Sequence, residues 1–203
     1  MQTKTAKQFS QLSDDAKKRV VNEHRDINVR HHDGWCQPIL ANNLPDFVDI
    51  GAVRFNLYHN PSIKISHTGV NLEKACNEWV NENVKGGSVH IDDVYVDLPT
   101  IGYGFVDFPR RAWKSTPRHA LEVVRVIDES RNTVVKRNDE GAELYAHAVE
   151  ALDDVHETLI DSLKDTFEAL QDEYEYQTSY EAVVETLKAN EYRFNADTGE
   201  IVG

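Results

Sequence analysis

AELYAHAVEALDDVHETLIDSLKDTFEALQDEY, residues 142–174, holds the pattern that decides how this chain folds. Leu144, Ala148, Ala151, Leu152, Val155, Leu159, Leu163, Phe167, Leu170 and Tyr174 recur at three- and four-residue steps, and no Pro or Gly interrupts them. That spacing gathers apolar side chains on one side of a helix. It predicts one amphipathic helix from about Asn138 or Asp139 to about Tyr174. Turned at about 100° per residue, Glu150, Asp154, Glu157, Asp161, Asp165, Glu168 and Asp172 fall in a single stripe on the other side. At about 1.5 Å of rise per residue the stripe is about 33 Å long, with successive carboxylates about 4.5–6 Å apart along the axis. That length is close to about ten base-pair rises of duplex DNA.

A solvated helix face ordinarily mixes Lys or Arg with its acids, because like charges one turn apart cost roughly 0.2–0.5 kcal/mol per pair. Here Lys164 is the one Lys or Arg from Asp139 to Glu175, against thirteen acids. The imbalance extends to the chain end. Residues 1–138 carry 17 Asp and Glu against 19 Lys and Arg; residues 139–203 carry 18 against 3, and the whole chain has a formal net charge of −13. On charge alone the chain divides into a near-neutral body, 1–137, and an acidic helical segment, 138–203, packed together as one domain.

Three readings of the stripe compete. It keeps an acidic protein soluble as a solvated face. It docks on basic residues of this chain or of a second copy in a homo-oligomer, with Arg110, Arg111, Lys114, Arg118 and Arg125 as candidates. Or it imitates the phosphate rows of a nucleic acid and occupies the basic groove of a nucleic-acid-binding protein, as a DNA mimic would.

Beyond the helix, Thr178-Ser179-Tyr180-Glu181 reads as a capping box opening a second helix to about Ala189, with Asn190 as a left-handed stop. Tyr192-Arg193-Phe194 and Ile201-Val202, around Asp197-Thr198-Gly199, predict a terminal hairpin. Toward the N-terminus, Ser13 before Asp14-Asp15 predicts a cap and a helix to about Arg25. Residues 28–46 read mostly as loop, with a short helix around Gln37–Asn42 as the alternative. Val53-Phe55-Leu57 and Ile63-Ile65 alternate with polar residues across His59-Asn60-Pro61, a hairpin pattern. Asn71 caps a helix bearing Leu72, Ala75, Cys76, Trp79 and Val80, which Gly86-Gly87 should end. Val89–Ile91 and Val94–Val96 suggest a strand, Ile101–Phe108 a bent strand and Arg131–Arg137 a short strand or linker. Thr116-Pro117 opens a helix through Leu121, Val124, Val126 and Ile127, although that β-branched run also suits a strand. The fold class is therefore α+β: a small, mostly antiparallel sheet with flanking helices, a long acidic C-terminal helix and a terminal hairpin.

With 203 residues and 40% apolar composition the chain can bury a real core. No apolar run approaches the roughly 18 residues a membrane span needs, and the opening MQTKTAKQFSQLSDDAKK has no signal-peptide h-region. Cys36 and Cys76 form no paired motif and read as free thiols of a cytoplasmic protein.

Catalytic signals are sparse. His24, His31, His32, Asp33 and Cys36 lack the tight pairs of a zinc site. Glu150, Asp153, Asp154 and Glu157 beside His147 or His156 resemble a bundle metal site, but such acids project inward and these project outward. Asp92, Asp93 and Asp97 beside a strand suit a divalent cation for phosphoryl transfer, without an accompanying base or lysine motif. His24-Arg25-Asp26 lacks the rest of a kinase signature, and no nucleophile motif appears. Gly102-Tyr103-Gly104 is too short for a phosphate loop. Trp35, Trp79 and Trp113 read as packing residues. Net charge disfavours direct nucleic-acid binding, although Arg110-Arg111-Ala112-Trp113-Lys114 would make a small basic patch. No catalytic residue, metal or cofactor is expected.

Leu12-Ser13-Asp14-Asp15-Ala16-Lys17, Asn22-Glu23-His24-Arg25-Asp26-Ile27-Asn28-Val29, Asp33 and Trp35 together resemble the opening of an uncharacterised family of small proteins of tailed bacteriophages and prophages. Ile91–Val96 with Gly102 and Phe105 resembles its middle motif. Leu170–Tyr176 with Thr178, Ser179, Glu181 and Ala182, then Ala189–Phe194, resembles its C-terminal motif. The likeness covers about a third of the chain. It departs in a single Trp where a pair is usual and in a simplified glycine segment. Some members are loosely labelled antitoxins of toxin–antitoxin systems. The resemblance implies a phage-encoded protein of the host-cell cytoplasm and brings no catalytic residues with it. Joined to the charge argument, it favours a non-enzymatic anti-defence inhibitor that binds a host protein through the seven stripe carboxylates, contacting neither nucleic acid nor membrane. The alternatives are an antitoxin-like partner that neutralises a toxin, and a metal-dependent phosphoryl-transfer enzyme.

Overall fold

The computed structural model describes residues 6–30, 34–84, 89–95, 97–107, 122–128, 133–135, 142–195 and 197–202. The fold is α+β. Among the described residues five helices, α1 (Asp14–Glu23), α2 (Cys36–Asn43), α3 (Leu72–Asn83), α4 (Ala142–Gln177) and α5 (Tyr180–Ala189), accompany nine strands. These are β1 (Ala6–Gln8), β2 (Val53–Asn56), β3 (Ser62–Ile65), β4 (Val89–Tyr95), β5 (Thr100–Gly102), β6 (Phe105–Asp107), β7 (Glu122–Asp128), β8 (Thr133–Val135) and β9 (Arg193–Asn195). Among the described residues the strands form three antiparallel sheets, ordered β1-β9, β2-β3-β5-β6 and β4-β7-β8, where the sequence suggested one small sheet and a terminal hairpin.

The chain groups into two compact units, residues 1–38 with 169–203, and residues 39–168. The first unit is closed by its own core. Phe9, Leu12, Ala16, Val20 and Val21 pack with Val183, Leu187 and Phe194, and Phe9 meets Phe194 edge-on at 6.2 Å. Ser13 caps α1 by accepting from the Ala16 amide, which satisfies a donor the first turn leaves open. The terminal hairpin forms as expected, with Phe194 bridged to Ile201 and the Val202 amide donating to the Arg193 carbonyl. Its other edge is taken by β1, a pairing across 187 residues (Ala6↔Asn195 to Gln8↔Arg193) that no local pattern announces.

In the second unit the β2–β3 hairpin has the expected alternation, with Val53 facing Ile65 and Phe55 facing Ile63. Asn71 caps α3 through the Lys74 amide, and the side chain of Asn77 clamps β4 by donating to the Ile91 carbonyl and accepting from the Ile91 amide. Val89 to Tyr95 is one strand with register irregularities around Asp93.

Several expectations are corrected. The β-branched run Val123–Ile127 is strand β7, paired with β4 and β8, because its side chains gain more on a sheet than in a helix. Thr116-Pro117 and Gly86-Gly87 lie outside the described residues. The bent strand is two strands, β5 and β6, joined through Tyr103-Gly104, where Gly104 takes φ +73°. At α5 the N-cap is Ser179, accepting from Ala182, so Glu181 is not placed for a capping box. Thr178 instead donates its hydroxyl to the Tyr174 carbonyl at the end of α4. The left-handed residue after α5 is Glu191 (φ 52°), and Asn190 has φ −89°. Within residues 28–46, read mostly as loop, the alternative of a short helix around Gln37–Asn42 is the one found, as α2 (Cys36–Asn43).

Gly69 is buried where two short 3-10 turns, Ile50–Ala52 and His67–Gly69, meet. Its carbonyl accepts from the Asp49 amide at 2.8 Å, and a Cβ there would stand 2.2 Å from the Cβ of Ala52. Neither backbone segment can withdraw, so Gly69→Ala should destabilise the protein by about 1–3 kcal/mol or more. Gly34→Ala, which meets nothing within 4 Å, should be close to neutral. Urea midpoints of the two variants check this.

Cys36 and Cys76 are both buried and are not joined in a disulfide. Burial raises the Cys76 thiol from 9.0 to about 12. Cys76 therefore stays a neutral thiol at ordinary pH and should resist iodoacetamide until the protein unfolds. Its contribution to stability is constant below pH 9.0 and is lost as pH rises through about 12. Mass spectrometry of alkylated native and urea-unfolded protein measures the difference.

Candidate functional site

α4 runs unbroken for 36 residues, and its end is three residues beyond the expected one. Residues 136–141, where its start was expected, lie outside the described residues. Its two sides separate as the periodicity requires. Ala148, Ala151, Leu152, Val155, Leu159, Leu163, Phe167 and Leu170 are buried, six of the eight at 1% exposure or less. Glu150, Asp154, Glu157, Asp161, Asp165, Glu168 and Asp172 are all exposed, the first six within residues 39–168. Asp153, between two of them, is exposed as well.

Few partners reach these carboxylates. Asp161 accepts from Lys164 at 2.7 Å, and Glu150 stands 3.5 Å from Nδ1 of His147. Asp154 accepts from the indole N–H of Trp79 on α3 at 2.8 Å. Glu157, Asp165, Glu168 and Asp172 have no hydrogen-bond or ion-pair partner among the described residues. The last turn of α4 has no basic residue either, although cations are favoured at the negative end of the helix dipole. The charge of this face is therefore little compensated by the described residues.

The Trp79–Asp154 bond was not legible in the sequence. Trp79 reads there as an apolar residue of α3; it is half-buried, and its polar edge fixes one carboxylate of the stripe. The partners 75 residues apart share no local signal.

Arg110, Arg111, Lys114 and Arg118 lie outside the described residues, as does the side chain of Arg125. Trp113 lies there too.

Among the described residues no cluster of three or more His, Cys, Asp or Glu is placed to hold a metal ion. Asp97 is buried at 6% exposure, and the side chains of Asp92 and Asp93 lie outside the description. His31, His32 and Asp33 also lie outside it. Of the same cluster, His24 packs its ring 6.1 Å from that of Phe194, and Cys36 is buried. His156 faces the interior, away from the exposed Glu157. Among the described residues no helix is long and apolar enough to cross a membrane.

Comparison of the chain with protein-family models, curated proteins and solved structures gives no match.

Proposed function

We propose that this protein is a phage-encoded, non-enzymatic acidic inhibitor that acts in the host cytoplasm. It occupies the basic groove of a host nucleic-acid-binding or defence protein, with the outer face of α4 standing in for a nucleic-acid backbone. The observation that carries this reading is the exposure of all seven stripe carboxylates on one continuous helix, four of them without a described partner. A helix is stiff, so the carboxylates are presented at fixed spacing and little conformational entropy is lost when a partner binds. A groove lined with Lys and Arg for phosphates would find charges at about 4.5–6 Å steps over about 33 Å. The phage assignment is supported by the N- and C-terminal motifs, and phage proteins that block host nucleases are a natural setting for such a face.

The test is affinity capture from a bacterial lysate at low salt. The expected result is a protein that leaves the column as salt is raised and is displaced by added duplex DNA. Capture that resists both salt and DNA would point to apolar docking and sink the mimic reading.

A further inference from the structure

An open groove of about 680 Å³ lies in the unit formed by residues 39–168. Its frame is the pairing of two chain segments. Val48 bridges Val70, the Asp49 amide donates to Gly69, and the Asn71 amide donates to Phe47. Phe47, Val48, Val70, Leu72 and Val94 supply apolar lining, and Asp46, Asp49 and Glu73 supply carboxylates. All three acids are exposed. Two come from one segment and the third from the other, so negative charge flanks the apolar lining from both segments.

We propose that this groove binds a basic peptide segment of a partner protein, seating an Arg or Lys side chain. Such a side chain has an aliphatic stem that lies along apolar surface and a cationic head that seeks carboxylates. The groove offers both, and its volume falls in the range of about 300–1,000 Å³ typical of ligand sites. The groove's own cations do not cancel the charge. Lys74 has its ammonium 3.8 Å from Glu78, one turn along α3, and His67 is the other basic residue on the lining. Asp49 uses Oδ1 to accept from the Gly51 amide, which leaves Oδ2 for a ligand. An anion at the start of α3 would meet these three carboxylates, and Asn71 already caps that turn. The proposal does not rest on the acidic face of α4.

The test is backbone-amide NMR of the full chain with two blocked tripeptides, Ac-Leu-Arg-Leu-NH2 and Ac-Leu-Glu-Leu-NH2. The arginine peptide should shift the amides of Val48, Val70, Asn71 and Val94, and the glutamate peptide should not. The double variant Asp46→Asn/Glu73→Gln, with its spectrum otherwise retained, should bind the arginine peptide about tenfold or more weaker. Three outcomes would each overturn the proposal: equal response to both peptides, response confined to α4, or undiminished affinity in the double variant. Loss of binding on reversing charges of α4 instead would place the peptide on that helix and refute the groove.

Discussion

Replacing Glu157, Asp161 and Asp165 together with Lys should abolish binding to the basic partner, by about a hundredfold or more, while the melting temperature does not fall. The three residues lie near the middle of the stripe and are exposed. Two of them, Glu157 and Asp165, have no described partner, and Asp161 has only Lys164. Each replacement removes an attraction to the groove and adds a repulsion, so the effect on binding exceeds that of three alanines. The effect on folding runs the other way. Like charges one turn apart each cost roughly 0.2–0.5 kcal/mol; a cation at 157 would face Asp153 and Asp154 and one at 165 would face Glu168, which offsets the loss of the Asp161–Lys164 pair. Isothermal titration calorimetry with the captured partner, alongside thermal melts, separates the two effects. Binding that survives the triple replacement in a folded protein would end the inhibitor proposal.

Leu159→Ala should cost about 2–5 kcal/mol of stability, whereas Glu157→Ala, two residues away, should stay within about 0.5 kcal/mol of the parent. Leu159 is wholly buried, so truncation leaves a cavity that its rigid surroundings close only partly. Glu157 is exposed and loses no described contact, and its removal relieves repulsion toward Asp153, Asp154 and Asp161. Urea unfolding of the two variants measures the contrast directly. Equal destabilisation would mean that the outer face is engaged in folding and is not free to meet a partner.

Period and punctuation made much of the fold legible. The three- and four-residue recurrence of Leu and Ala in α4, the caps at Ser13 and Asn71 and the alternation in Val53–Ile65 are local signals, and each appears where it was expected. The β7 segment was ambiguous because Val123, Val124, Val126 and Ile127 carry no polar alternation to exclude a helix; pairing with β4 decided it. The start of α5 shifted by one residue because both Thr178 and Ser179 can cap a helix, and the Tyr174 carbonyl at the end of α4 claimed the Thr178 hydroxyl.

The site divides in the same way. Charge and helical period in residues 142–177 by themselves placed seven carboxylates on one outer stripe, because both properties are written within a few turns of chain. Tertiary structure alone decided that β1 from one end of the chain completes β9 at the other. It also decided that Trp79 holds Asp154, and that the segments around Asp49 and Gly69 frame a groove. Each of these joins residues distant along the chain through a backbone or indole N–H, a donor that is the same whatever its neighbours, so nothing local could have named its partner.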